Sequence, residues 1–174
     1  INSTGNDTVH AILAYGEYGW ITNNYISGVY NSGQADASIA NNDNEGLFVK
    51  GRYITIADNV LINAGTQQGM ITIKGSNEDE GDAATTPFAR YNTVRNNIMV
   101  GDDTAHRRNG IWSTADNCKF IDNILVNCKL IAAGSGLDII GNRISNQHNA
   151  MDFNTEGDTF AMRNAITSVP GGLL

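Results

Sequence analysis

Two lysines occupy the same place in two similar segments, each preceded by an apolar run and followed by glycine: FVKG at Lys50 and TIKG at Lys74. If the segments lie side by side, repulsion between two ammonium groups one strand spacing apart disfavours protonation of both. A lysine held uncharged can act as a general base. Removal of the proton beside the carboxylate of a uronic acid needs such a base, and positive charge must stabilise the enolate-like intermediate. The pair therefore indicates elimination or epimerisation at a uronic acid.

Several groups are candidate sources of that positive charge. Arg52 follows Lys50 by two residues, and Arg107 and Arg108 form a basic pair, with His106 beside them as a candidate catalytic residue. A bound Ca²⁺ is another source, because it takes carboxylate and carbonyl oxygens as ligands. The candidate calcium ligands are Glu45, Asp102 and Asp103. We therefore predict a basic site with Ca²⁺ as a candidate cofactor.

Aromatic side chains are predicted on the same surface as the lysines. Because side chains alternate along a strand, the residues flanking inward-facing Leu47 and Val49 point outward, as do Tyr15 and Trp112 in neighbouring segments. Aromatic rings can stack on sugar rings while their polar atoms remain hydrated. We predict that Tyr15, Trp112 and Arg52 bind substrate.

Paired carboxylates offer a different chemistry, the hydrolysis of a glycosidic bond. Five acidic residues are available for it, although no spacing pairs them: Glu45, Asp102, Asp103, Asp152 and Glu156. Hydrolysis therefore remains an alternative to elimination.

One repeated signature indicates how these residues are positioned. An asparagine recurs with an apolar or small residue three positions before it and an apolar residue two positions after it, as in ITNNYI and FIDNIL, at spacings of 19 to 38 residues. We expect both flanking series to face the core and the asparagine to lie at a corner between two strands, where stacked amides bond to one another. The six asparagines are Asn24, Asn59, Asn97, Asn123, Asn142 and Asn164.

A further strand precedes each asparagine signature, and no helical period separates them. These strands are HAILAYG, LFVKG, MITIKG, GIWST, LIAAG and MDFNTEG. Short strands repeated without helices predict an all-β parallel β-helix, a solenoid of about six coils with an asparagine ladder. A leucine-rich repeat also fits residues 137–144, but the segments between the other asparagines are β-like rather than helical.

Insertions and composition bound the function. Long insertions at 31–45, 76–91 and 101–108 are expected to collect on one face, where solenoids bind ligands. The formal net charge of −7 argues against nucleic acid as the main partner. The sequence has no apolar run long enough to span a membrane.

We expect one domain over residues 1–174, within a longer chain or an assembly, with a capping domain or a homotrimer covering the solenoid ends. Cys118 and Cys128 could be paired or reduced.

The six coils resemble the right-handed parallel β-helix of the pectate-lyase-like superfamily, which includes phage tailspikes. The hand of the helix is what this resemblance implies. The span from Glu45 to Gly75 is also similar to a segment of chondroitinase-B-like alginate lyases, which carries a calcium ligand, a lysine base and, one coil later, an arginine. The resemblance implies Lys50 as the base and Glu45 as a calcium ligand. Lys74 stands where those lyases have the arginine.

We therefore expect a secreted enzyme that binds an acidic polysaccharide and cleaves it by β-elimination. One alternative is a trimeric tailspike-like module on a virion surface that binds or hydrolyses host glycan through carboxylates. Another is an adhesin or a structural solenoid without catalysis. The fold hosts all three.

Overall fold

Each coil of the chain contributes three short strands. The computed structural model describes residues 10–29, 44–65, 69–75, 89–101, 109–146, 151–153 and 159–168 of the 174-residue chain. The first three coils consist of β1 (His10–Ala14), β2 (Trp20–Thr22), β3 (Tyr25–Ser27), β4 (Glu45–Val49), β5 (Thr55–Ala57), β6 (Val60–Ile62), β7 (Ile71–Ile73), β8 (Thr93–Arg95) and β9 (Ile98–Val100). The last three consist of β10 (Asn109–Ser113), β11 (Lys119–Ile121), β12 (Ile124–Val126), β13 (Lys129–Ala132), β14 (Leu137–Ile140), β15 (Arg143–Asn146), β16 (Met151–Phe153), β17 (Thr159–Met162) and β18 (Ala165–Ser168).

Equivalent strands of successive coils pair in parallel and build three sheets. The first sheet has the order β1-β4-β7-β10-β13-β16, the second β2-β5-β8-β11-β14-β17 and the third β3-β6-β9-β12-β15-β18. No helix occurs in the described residues. The protein is thus a right-handed parallel β-helix of six coils, which confirms the predicted fold class. Within the described ranges, no helix has the length and apolar character that a membrane crossing requires.

The interior is filled by the two predicted apolar columns on either side of the asparagines. Their middle members are fully or almost fully buried: Ile56, Val94, Phe120 and Ile139 in one column, and Leu61, Met99, Leu125 and Ile144 in the other. Ala161 and Ile166, which we predicted to be inward-facing, are exposed, with Ile166 at 50%. The reason is geometric, because the sixth coil has a neighbouring coil on one side only among the described residues.

The predicted asparagine ladder runs through all six coils, between the second and third strand of each. The side-chain amide of each asparagine donates to Oδ1 of the next one along the stack at 2.9–3.0 Å. The same Oδ1 also accepts the backbone N–H of the preceding asparagine. Asn59, Asn97, Asn123 and Asn142 are completely buried, so the ladder satisfies polar groups that would otherwise destabilise the corner.

The two cysteines are buried free thiols, which settles the pairing that the sequence left open. Cys118 Sγ lies 3.4 Å from the carbonyl of Asp116, and Cys128 Sγ lies 3.6 Å from that of Met99. Burial raises the pKa of both thiols to about 12. Both therefore stay protonated at neutral pH and serve as small apolar core residues.

Candidate functional site

The long insertions attach to the first sheet. Residues 30–43 lead into β4, residues 76–88 follow β7 and residues 102–108 lead into β10, and all three stretches lie outside the described residues. Their attachment points are the two ends of first-sheet strands in coils two to four. This outer face is therefore the part of the described solenoid where loop residues and sheet residues can form a site together.

A column of outward-facing side chains crosses this face. Strand register places them on successive rungs in the order Leu13, Phe48, Thr72, Trp112 and Ile131. Phe48 and Thr72 are nevertheless buried, and Trp112 is half-buried. The Oγ1 atom of Thr72 has no hydrogen-bond partner among the described residues. A buried hydroxyl left unsatisfied between two aromatic rungs is unusual.

Lys50 and Lys74 lie on neighbouring rungs, as the sequence predicts. Val49 pairs with Ile73, so the residues that follow them are adjacent, and the Lys74 N–H donates to the carbonyl of Val49 at 3.0 Å. Parallel strands bring the two backbones to about 4.8 Å. Lys50 is only 6% exposed, and its Nζ lies 5.4 Å from the centre of the Phe48 ring, whereas Lys74 is half-buried.

The glycine after each lysine has a steric cause. A Cβ at Gly51 would lie 2.4 Å from the carbonyl oxygen of Gly16, and one at Gly75 would lie 2.4 Å from that of Thr114. Both distances are far below van der Waals contact, so the neighbouring coils can approach only where the chain has no side chain. In both coils the Lys-Gly pair therefore lies at the end of the first-sheet strand, where the next coil approaches the glycine.

Glu45, the predicted calcium ligand, begins β4 at the opposite end from Lys50. It is completely buried, and its Oε2 lies 2.6 Å from Nδ1 of His10 on the neighbouring rung. The His10 ring stacks on Phe48 with centres 4.6 Å apart and planes 6° apart. Carboxylate, imidazole, phenyl ring and lysine amine therefore form one continuous chain of contacts along β1 and β4.

Arg52 lies in the turn after Lys50 and is engaged by a neighbour. Its Nε donates to Oε1 of Glu17 at 2.7 Å, and its Nη2 contacts the same oxygen. The hydrogen bonds that Arg52 donates to the Glu17 carboxylate raise the pKa of Arg52. This side chain is thus held in an ion pair on the surface, next to the predicted substrate-binding residue Tyr15, whose ring is exposed.

The other predicted site residues fall outside the part of the chain that the structure describes. These are Asp102, Asp103, His106, Arg107 and Arg108 in one insertion, and Glu156 in another stretch. Asp152 belongs to β16, on the rung after Ile131. Within the described ranges, no three His, Cys, Asp or Glu side chains form a group that could hold a metal ion.

A stack of three tyrosines was missed by the sequence interpretation. Tyr18, Tyr53 and Tyr91 lie in the turn between the first and second sheets, with ring centres 5.0 and 5.1 Å apart and nearly parallel planes. All three have a left-handed backbone, with φ between 56° and 59°. The signal was present, because each tyrosine stands six residues before a ladder asparagine.

The tyrosine stack does not offer ring faces throughout its length. Both faces of the Tyr53 ring are covered by its neighbours, so that residue presents its edge and hydroxyl. Tyr18 at the end of the stack is 73% exposed, and Trp20 beside it is 72% exposed. Ring faces suited to sugar stacking are therefore concentrated in the first coil.

Comparison with protein-family models, with curated proteins and with solved structures finds no match to this chain. The fold assignment accordingly rests on the parallel register of the three sheets and on the asparagine ladder. Function must be argued from the first-sheet face itself.

Proposed function

We propose that the outer face of the first sheet binds an acidic polysaccharide and that the protein cleaves it by β-elimination. The observation that carries the proposal is the placement of Lys50 and Lys74 on neighbouring rungs, with Lys50 buried against Phe48. An amine withdrawn from solvent on the face where the long insertions attach supports a role in chemistry.

The two lysines differ in environment and are assigned different roles. Lys50, whose amine is held over a ring, takes the proton from the carbon beside the substrate carboxylate. The electron pair left behind forms a carbon–carbon double bond, and the glycosidic oxygen leaves from the neighbouring carbon and takes a proton from water. Lys74, half-buried one rung away, stabilises the negative charge that develops on the carboxylate. Fixed positions on a sheet favour this division of labour because little reorganisation is needed.

The charge of the molecule restricts where such a substrate binds. A net charge of −7 repels an anionic polymer over most of the surface. Attraction must come from local positive charge, and on the outer face of the first sheet Lys74 supplies it. Binding should accordingly weaken as salt rises.

Calcium remains a proposal for this site. Glu45 is buried in contact with Nδ1 of His10, so binding of calcium at Glu45 would require this contact to change. Asp102 and Asp103 lie outside the described residues. No step above depends on a metal, and a chelator added to the cleavage assay tests whether one is needed.

Exposed aromatics in the first coil favour a second candidate, a glycan-binding module without cleavage. Tyr15, Tyr18, Trp20 and Tyr25 are all well exposed within one coil. This reading covers a tailspike-like homotrimer on a virion surface and an adhesin, whereas the lyase would be a secreted member of the pectate-lyase-like superfamily.

The test is ultraviolet absorbance of unsaturated uronates during incubation with a panel of polyuronates and sulfated glycans, with and without Ca²⁺. Wild type is compared with Lys50→Ala and with Lys119→Ala, a lysine of the second sheet that pairs with Asp138 at 3.1 Å. Elimination predicts absorbance that Lys50→Ala abolishes and Lys119→Ala leaves unchanged. New reducing ends without absorbance would replace the lyase with a hydrolase, and binding without either product would leave the glycan-binding module.

A further inference from the structure

The buried pair formed by His10 and Glu45 has no role in the elimination chemistry assigned to Lys50 and Lys74. Both side chains are largely withdrawn from solvent, at 15% and 0% exposure, yet both are polar and lie at the start of first-sheet strands. Burying such groups is costly, and a purely structural position could be filled by apolar residues of similar size at no loss. The pair therefore calls for an explanation beyond packing.

The contacts of His10 lead directly to the proposed base. Its ring lies parallel to Phe48 at 4.6 Å, and the amine of Lys50 lies 5.4 Å from the centre of the same Phe48 ring. A ring stacked on a partner cannot rotate freely, and an amine packed against its face is restrained with it. Glu45 in turn contacts the imidazole at Nδ1, which restrains the His10 ring.

We infer that His10 and Glu45 are positioning residues for Lys50, acting through the Phe48 ring. Glu45 fixes the orientation of His10, His10 fixes Phe48, and Phe48 fixes the Lys50 amine. In this arrangement the imidazole lies beside the carboxylate where a cation would otherwise bind, so the order of the Lys50 side chain does not depend on Ca²⁺. The inference rests on the proposed function for its catalytic meaning but concerns a property of the free protein.

The experiment measures the accessibility of Lys50 without any substrate. Reductive methylation of the folded protein is followed by mass spectrometry at each lysine, with the exposed Lys119 as the internal reference. In wild type Lys50 should react more slowly than Lys119. His10→Ala and Phe48→Leu should each raise the Lys50 rate about tenfold relative to Lys119, the factor that corresponds to the loss of one ring contact. Glu45→Ala removes the contact with Nδ1 of His10 and should raise the Lys50 rate as well.

Two results would overturn the inference. One is an unchanged Lys50 rate in folded His10→Ala or Phe48→Leu. The other is a parallel rise at Lys119 and Lys129, which would show that His10 supports the whole fold rather than Lys50. If His10→Ala does not fold, Phe48→Leu carries the test, because it leaves the His10–Glu45 contact in place.

Cleavage assays then separate this inference from the proposed function. If the protein is a lyase, His10→Ala should lower turnover while KM stays near the wild-type value, because substrate binding is retained and the base is misplaced. If wild type cleaves no glycan, the proposed function fails, and the methylation result still decides whether His10 and Glu45 position Lys50. Addition of EDTA should leave the wild-type methylation pattern unchanged, and a chelator-dependent rise at Lys50 would contradict the metal-independent arrangement.

Discussion

The first three coils and the next two share one turn conformation but fill it with different residues. At the turn between the first and second sheets, the left-handed position is occupied in successive coils by Tyr18, Tyr53, Tyr91, Asn117 and Gly136. Asn and Gly adopt this conformation at the lowest cost, whereas for tyrosine the cost is roughly 1–2 kcal/mol. Tyrosine is therefore present for its side chain, and the stacking of three rings offsets the strain.

The outer face of the first sheet also differs between the earlier coils and the later ones. Coils two and three carry Phe48, Thr72 and the two lysines, and the long insertions attach to coils two to four. Coil five has Ile131 in the same column and follows coil four after 19 residues. The asparagine ladder runs unchanged through both halves. The scaffold is thus uniform, and the residues suited to binding and chemistry are concentrated near one end.

The largest loss of stability is expected from a substitution in the asparagine ladder, which both halves share. Asn123 is buried in the middle of the ladder and bonds to Asn97, to Asn142 and to the carbonyl of Val94. Asn123→Leu leaves several buried groups unsatisfied and should lower the free energy of unfolding by about 3 kcal/mol or more. Chemical denaturation measures this change in the free energy of unfolding. Asn164→Leu, at the partly buried end, should cost clearly less, and equal losses at both positions would argue against a cooperative ladder.

The half of the molecule without the tyrosine stack should be the more sensitive to alkali, because both cysteines lie there. The pKa of Cys118 and of Cys128 is about 12 in the folded protein, above the ordinary value of 9.0. A raised pKa means that the stabilisation is complete below about pH 9 and is lost as pH rises toward 12, since the unfolded thiols ionise first. At about pH 10 the loss should be about 1 kcal/mol for each thiol.

The test compares the stability of wild type with that of the double variant Cys118→Ala/Cys128→Ala at neutral and at alkaline pH. This comparison separates the effect of the thiols from that of the lysines and tyrosines, which also titrate at alkaline pH. The double variant should lose less stability between the two pH values. An identical pH dependence in both proteins would show that the buried thiols do not contribute.

The tyrosine stack should stabilise the first half modestly. Tyr53→Ala removes two stacking contacts and should lower the free energy of unfolding by about 1–2 kcal/mol. Tyr53→Phe keeps both ring contacts and the same turn position, so it should stay close to wild type. If Tyr53→Phe loses as much stability as Tyr53→Ala, ring stacking contributes nothing.

The smallest effect is expected at the ion pair of Arg52 with Glu17. Both side chains are about one-third exposed, so solvent screens their attraction. Arg52→Gln should leave the thermal unfolding midpoint unchanged within error. A clear fall would mean that this pair belongs to the structural core of the turn.

Much of the fold could be predicted because the solenoid repeats itself. The asparagines and their apolar neighbours recur in sequence, and each repeat must bury its columns against the next. Once the 35-residue step from Asn24 to Asn59 is known, it also relates His10 to Glu45 and Tyr18 to Tyr53. The positions of these contacts were therefore encoded in the sequence, although their importance was not visible.

The site was harder to predict than the fold. The alternation of side chains along a strand predicts the direction in which each one points but not whether it is buried. Register gives Phe48, Lys50 and Thr72 an outward direction, which the structure confirms, but all three are buried. Lys50 and Lys74 are 24 residues apart, whereas the second-sheet partners Thr55 and Thr93 are 38 apart, because an insertion follows β7. Contacts such as His10 on Phe48 depend on side-chain conformation, which spacing cannot supply.

The most direct test of the account is calorimetric titration with an acidic oligosaccharide, comparing Lys74→Gln with Lys119→Gln. Each variant removes one positive charge, so their effects on the overall field of the protein are the same. If the first-sheet face is the binding surface, Lys74→Gln should weaken the affinity by about tenfold, as expected for one charge-assisted contact, and Lys119→Gln should match wild type. Equal weakening by both, or no change with Lys74→Gln, would contradict the account.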